Sequence, residues 1–153
     1  MSDNFFLNCI GDSHANFFSG YDEPQPEWPS ENINHRYSYL RCYRLGPVLA
    51  YNLGVENTAT MGREKLLDLL TRLTPGSKLL FCFGEIDCRA HIQQQAIRQN
   101  RSYEQVVLDV VNRYFTAILE IQDLGFECLV WNVIPSAPCD INDRILVAPQ
   151  FLF

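Results

Sequence analysis

The stretch that decides the fold is Lys78-Leu79-Leu80-Phe81-Cys82-Phe83-Gly84-Glu85-Ile86-Asp87-Cys88-Arg89-Ala90-His91. Its first half, Leu79 to Phe83, is a continuous apolar run with no polar alternation. Such a run suits a strand covered on both faces, the habit of parallel sheets. Gly84 breaks it, and two acids, a guanidinium and an imidazole follow within seven residues.

Working outward, short apolar runs alternate with longer helical patterns, as in βαβ units. Upstream, Phe5 to Ile10 reads as a strand that stops at Gly11-Asp12-Ser13-His14. Ser19 to Asn34, with Pro24, Pro26 and Pro29, reads as a loop overhanging the strand ends. A strand from Tyr39 to Leu45 stops at Gly46-Pro47, and Pro47 suits the first turn of a short helix through about Leu53. From Met61 to Leu73, leucines recur at helical spacing until Pro75-Gly76. Downstream, Ser102 to Leu124 reads as a long amphipathic helix with Val106, Val110, Tyr114, Ala117, Ile118 and Ile121 on its apolar stripe. Ser102 with Gln105 resembles a capping box, and Gly125 is a natural stop. A last strand, Cys128 to Ile134, ends at Pro135-Ser136-Ala137-Pro138. The pattern predicts one three-layer α/β/α domain over residues 1–153 with a flavodoxin-like parallel sheet. In such sheets ligands bind at the carboxyl ends of the strands, where strand order reverses.

Composition narrows the function classes. The chain of 153 residues is 47% hydrophobic and 20% charged, an ordinary globular balance. Its formal charge of -6 is spread along the chain and repels a phosphate backbone, so nucleic-acid partners are not expected. No apolar stretch approaches the roughly 20 residues that span a bilayer. The N-terminus has no basic region and no small-residue cleavage site, so it does not read as a signal peptide. Of six cysteines, Cys9, Cys82 and Cys128 fall inside apolar runs, which suits buried free thiols in a reducing, cytoplasmic compartment.

Two clusters carry chemistry. In Gly11-Asp12-Ser13-His14, a serine follows a buried strand and opens a helix, where backbone N–H groups favour a developing oxyanion. The plainer reading is that Asp12 or Ser13 merely caps that helix. In Gly84 to His91, acids crowd a strand end, and burying them without a role is costly. The plainer reading is a loop in which Arg89 neutralises Glu85 or Asp87. A metal set of Cys82, Cys88 and His91 matches no compact zinc spacing, so neither metal nor cofactor is expected. Tyr21, Trp28 and Trp131 either stack on a sugar ring or pack.

Together, Gly11-Asp12-Ser13 and the later Gly84-to-Asp87 block resemble the SGNH/GDSL hydrolase family. The resemblance covers about Phe5 to Pro135 and implies that Ser13 is the nucleophile of an esterase acting on a small-molecule or glycan acyl ester. It further implies that Gly46 is the second-block glycine, and that Gly84 and Asp87 belong to the Gly-x-Asn-Asp block. The departures are specific. Ile86 stands where the family has its oxyanion asparagine, and the late Asp-x-x-His is missing. After the last strand come only Asp140 and Asp143, and the histidines are His14, His35 and His91. The sequence reading is therefore a domain lacking its fifth strand and final helix, since it stops on Ala148-Pro149-Gln150-Phe151-Leu152-Phe153. Such an ending leaves a sheet edge open and invites a homodimer. His91, oriented by Asp87 or Glu85, is the candidate replacement base, and His14 is disfavoured because it directly follows Ser13. Asp12, His14, Glu85 and Arg89 line the expected site. The alternative is a non-catalytic binding module that keeps the pocket and recognises sugar hydroxyls.

Overall fold

A computed structural model describes residues 6–132. Four strands, β1 (Leu7–Gly11), β2 (Leu40–Arg44), β3 (Lys78–Cys82) and β4 (Glu127–Val130), form one sheet. All pairings are parallel, in the order β2-β1-β3-β4. This is the flavodoxin-like order over its first four positions. Strand order reverses between β1 and β3, whose registers align Gly11 with Cys82. The carboxyl ends of these two strands therefore flank the switch point.

Helices cover both faces of the sheet, giving an α/β three-layer arrangement. One face joins Ile10, Tyr43, Leu79 and Phe81 to the helices α1 (Gly62–Thr71), α2 (Ile92–Gln99) and α3 (Tyr103–Asp123). The other face is a small cluster of Cys9, Cys42, Leu80 and Cys82 beneath Ala15 of a 3-10 helix, Ser13–Ser19. Because side chains alternate along a strand, Leu79 and Phe81 point one way and Leu80 and Cys82 the other. That alternation explains why the apolar run needs cover on both faces.

Most expected elements are present, with shifted ends. The long helix has the anticipated capping box: Ser102 Oγ accepts from the Gln105 N–H, and Gln105 Oε1 accepts from the Ser102 N–H. The short helix after Pro47 is a single 3-10 turn, Ala50–Asn52. A π turn (Asp87–His91) and α2 occupy a stretch for which the sequence reading named no helix. The proline-containing segment lies along the outer edge of β2, where Glu27 bridges Arg44 and the Trp28 N–H donates to the Arg44 carbonyl at 2.8 Å. Trp28 is a packing residue: it is buried, meets Tyr43 edge-on and donates from Nε1 to Asp68. Cys9, Cys42 and Cys82 are buried free thiols, whereas Cys128 is half-buried on the edge strand. Cys139, Asp140, Asp143, the expected strand end at Pro135–Pro138 and the expectation of a missing fifth strand fall outside the described residues.

Candidate functional site

The site grows out of Gly11. A side chain there would overlap the Cys82 carbonyl and come within 2.9 Å of the Ala15 side chain, so only glycine lets β1 and β3 run this close. The chain then leaves the sheet at Asp12, which is extended (φ -76, ψ -155), and turns into the 3-10 helix. The Asp12 carboxylate accepts from the His14 N–H at 2.8 Å and meets His14 Nδ1 at 3.0 Å. It is thus the helix cap, as the plainer reading held, but it also grips an imidazole. Asp12 has no exposed surface, and its second oxygen has no hydrogen-bond partner among the described residues. Burial pushes its pKa up, the His14 bonds pull it down, and the charge of Glu85 raises it further.

Ser13 occupies the first position of that 3-10 helix and is exposed. No hydrogen bond reaches its hydroxyl among the described residues. Its surroundings are set by β3. Gly84 takes a positive φ of 110, a conformation that favours glycine, and turns the chain so that Glu85 lies buried against the same rim. Glu85 Oε2 stands 3.8 Å from His14 Nδ1, and Glu85 Oε1 stands 3.2 Å from Arg89 Nε. Asp12, His14, Glu85 and Arg89 therefore form one chain of polar contacts that starts at the residue before Ser13.

Asp87 has a different task. It is fully buried, and its two oxygens accept from the backbone N–H groups of Ala50 (2.7 Å) and Tyr51 (3.1 Å). It caps the 3-10 turn after β2, whose own cap residue, Leu49, has no side-chain acceptor. Burial raises its pKa to about 6 against the opposing pull of those bonds, and the charge of Asp12 adds to the rise.

Gly46 stands at the same end of the sheet, two residues beyond β2, at φ 98. A Cβ there would come within 2.6 Å of the Glu27 carboxyl group, which is itself held by Lys65. Glu27 and Lys65 were not legible as rim residues, because Glu27 sits in a proline-rich loop and Lys65 in a plain helical pattern. Tyr114 was also hidden. Its hydroxyl is buried, and burial above all, with the nearby carboxylates of Asp87 and Asp12, pushes its pKa up.

The structure does not bring every expected residue together. His91 stacks on Tyr51, ring centroids 4.8 Å apart, and its Nε2 is buried with no hydrogen-bond partner among the described residues. Burial, then the charges of Arg113 and Arg98, lower its pKa. Among the described residues no hydrogen bond joins it to Ser13, Asp87 or Glu85. Trp131 meets the ring of Phe18 at 5.1 Å, and Tyr21 is exposed. Among the described residues no group of three or more His, Cys, Asp or Glu is placed to hold a metal ion. No helix of the described residues is long and apolar enough to cross a membrane.

Comparison with protein-family models, with curated proteins and with solved structures returns no match.

Proposed function

We propose that this chain is an SGNH/GDSL-type serine esterase that cleaves an acyl ester of a small molecule or glycan. The observation that carries the reading is Ser13: an exposed hydroxyl at the strand-order reversal, next in sequence to an Asp12–His14–Glu85–Arg89 chain whose two carboxylates are buried. Ser13 Oγ attacks the ester carbonyl and forms an acyl-enzyme as its proton passes to a base. The backbone N–H groups of Ser13 and Gly46 receive the oxyanion, and Gly84 shapes the floor beside them. The base returns the proton to the departing alcohol, and water then releases the acid.

Two imidazoles compete for the role of base. His14 is the one whose Nδ1 meets carboxylates, the arrangement that orients a catalytic histidine. His91, the candidate from sequence with Asp87 as its orienter, meets Tyr51 instead. Five free cysteines among the described residues support a reducing, cytoplasmic setting. The charge of -6 argues against nucleic acid as a partner.

A second reading is a non-catalytic module that recognises polar groups such as sugar hydroxyls through Asp12, Glu85 and Arg89. It is favoured by the Ser13 hydroxyl having no base bonded to it among the described residues, and by Ile86 standing in place of an oxyanion asparagine. Hydrolysis of a short aryl acetate separates the two. An esterase loses its turnover by roughly 10³-fold or more in Ser13→Ala, whereas a binding module shows the same background rate for both proteins.

A further inference from the structure

Tyr114 lies on the buried stripe of α3, and it carries a hydroxyl into a layer otherwise filled by Val106, Val110, Ala117, Ile118 and Ile121. Its Oη is buried and has no hydrogen-bond partner among the described residues. A hydroxyl taken out of water without a partner costs free energy that phenylalanine at the same place would not. Buried tyrosines therefore normally bond through their oxygen.

The sheet places an acceptor in the same layer. Side chains alternate along β1. Cys9 joins the small cluster under the 3-10 helix, Ile10 faces the α3 side, and a side chain at Gly11 would meet Ala15. Asp12 is still extended, and its N–H donates to the Cys82 carbonyl at 3.4 Å, so the alternation continues and turns Asp12 toward α3. The register that pairs Gly11 with Cys82 makes Phe83 the neighbour of Asp12 across the sheet. The Phe83 ring meets the Tyr114 ring edge-on, centroids 6.3 Å apart. Tyr114 therefore packs against the sheet row to which Asp12 belongs. The acceptors there are spoken for, except one. The two oxygens of Asp87 each take a backbone N–H, from Ala50 and Tyr51, and Glu85 engages Arg89 and His14. Asp12 Oδ1 meets both His14 groups, whereas Asp12 Oδ2 is buried and has no hydrogen-bond partner among the described residues.

We propose that Tyr114 is a positioning residue for the Asp12–His14 pair, its hydroxyl donating through one bridging water to Asp12 Oδ2. No direct hydrogen bond joins the two oxygens, and a water between two buried polar groups satisfies both. Asp12 is then held at each oxygen, by His14 on one and from α3 on the other, which fixes the imidazole it grips. The ionisable groups that act on Asp12 and Tyr114 are His14 of the 3-10 helix, Cys82 of β3, and Glu85 and Asp87 after it. The Tyr114 hydroxyl touches no reacting atom. Its effect on turnover rests on the esterase reading with His14 as base, whereas the link to Asp12 does not.

The test is a carbon NMR titration of the Asp12 carboxyl in the full chain, its signal assigned by its loss in Asp12→Asn. Tyr114→Phe keeps the ring and the charge balance and removes only the hydroxyl. Loss of a donor to the charged form is expected to move the Asp12 midpoint upward. A midpoint that stays in place or moves down overturns the proposal, because a tyrosine that merely packs leaves the titration alone. Should Tyr114→Phe misfold, fluorotyrosine at position 114 repeats the test with a more acidic, stronger donor. The Asp12 midpoint is then expected to fall, and an unmoved or raised midpoint overturns the proposal. The titration needs no turnover, so a chain without esterase activity still decides it.

Discussion

Replacing Asp87 with asparagine removes a titrating carboxyl from a position with no exposed surface and leaves its shape nearly unchanged. Burial raises the Asp87 pKa from 3.8 to about 6 although two backbone N–H groups favour the charged form. In the unfolded chain the group returns to its ordinary value. Between the two values the folded protein retains a proton that the unfolded chain has released. The associated stability is fully present below pH 3.8 and is lost as pH rises through about 6. At roughly 1.4 kcal/mol per pH unit, the gap amounts to about 3 kcal/mol. Asparagine does not titrate, so Asp87→Asn lacks this term at every pH. Urea unfolding of both proteins is expected to show the wild type losing about 3 kcal/mol relative to the variant between about pH 4 and about pH 7. Parallel profiles would refute the reasoning, because they would mean that the buried carboxyl does not hold its proton in that window.

Three further outcomes follow from named contacts. Gly11→Ala is expected to cost about 1–3 kcal/mol in thermal or urea unfolding, because the added methyl overlaps the Cys82 carbonyl in the neighbouring strand. Phe81→Ala, at a fully buried position of the main core, is expected to cost about 3–5 kcal/mol by the same assay. If His14 is the base, His14→Ala lowers kcat for an aryl ester by ~10²–10⁴-fold while His91→Ala leaves it within a few-fold. The reverse pattern in steady-state kinetics would return the role to His91.

The sheet was legible wherever burial on both faces leaves a mark on composition. Leu79 to Phe83 could be nothing else, and the Ser102–Gln105 box announced the long helix. Helix α2 was not legible, because Gln93, Gln94 and Gln95 leave only Ile92 and Ala96 buried and no cap precedes it. Its entrance is a π turn, a wide geometry with no sequence signature. At the site, residues next to a strand end in sequence were also next to it in space: Asp12, Ser13, Glu85 and Arg89. What failed was everything defined by distant backbone. Asp87 answers to the N–H groups of Ala50 and Tyr51, 37 and 36 residues away, and nothing in Gly84–His91 indicates that. The same holds for the approach of Glu27 to Gly46. His91 was paired with Asp87 by proximity in sequence, but its ring packs on Tyr51, the residue whose N–H Asp87 holds.

The most direct test of the central claim is covalent labelling of Ser13. The purified chain is treated with a fluorophosphonate, and the intact mass is read beside that of Ser13→Ala. One adduct is expected on the wild type and none on the variant, since only an activated serine at this rim displaces fluoride from the probe. A wild type that takes up no label, or a Ser13→Ala protein that labels equally, would contradict it and leave the site as a binding surface.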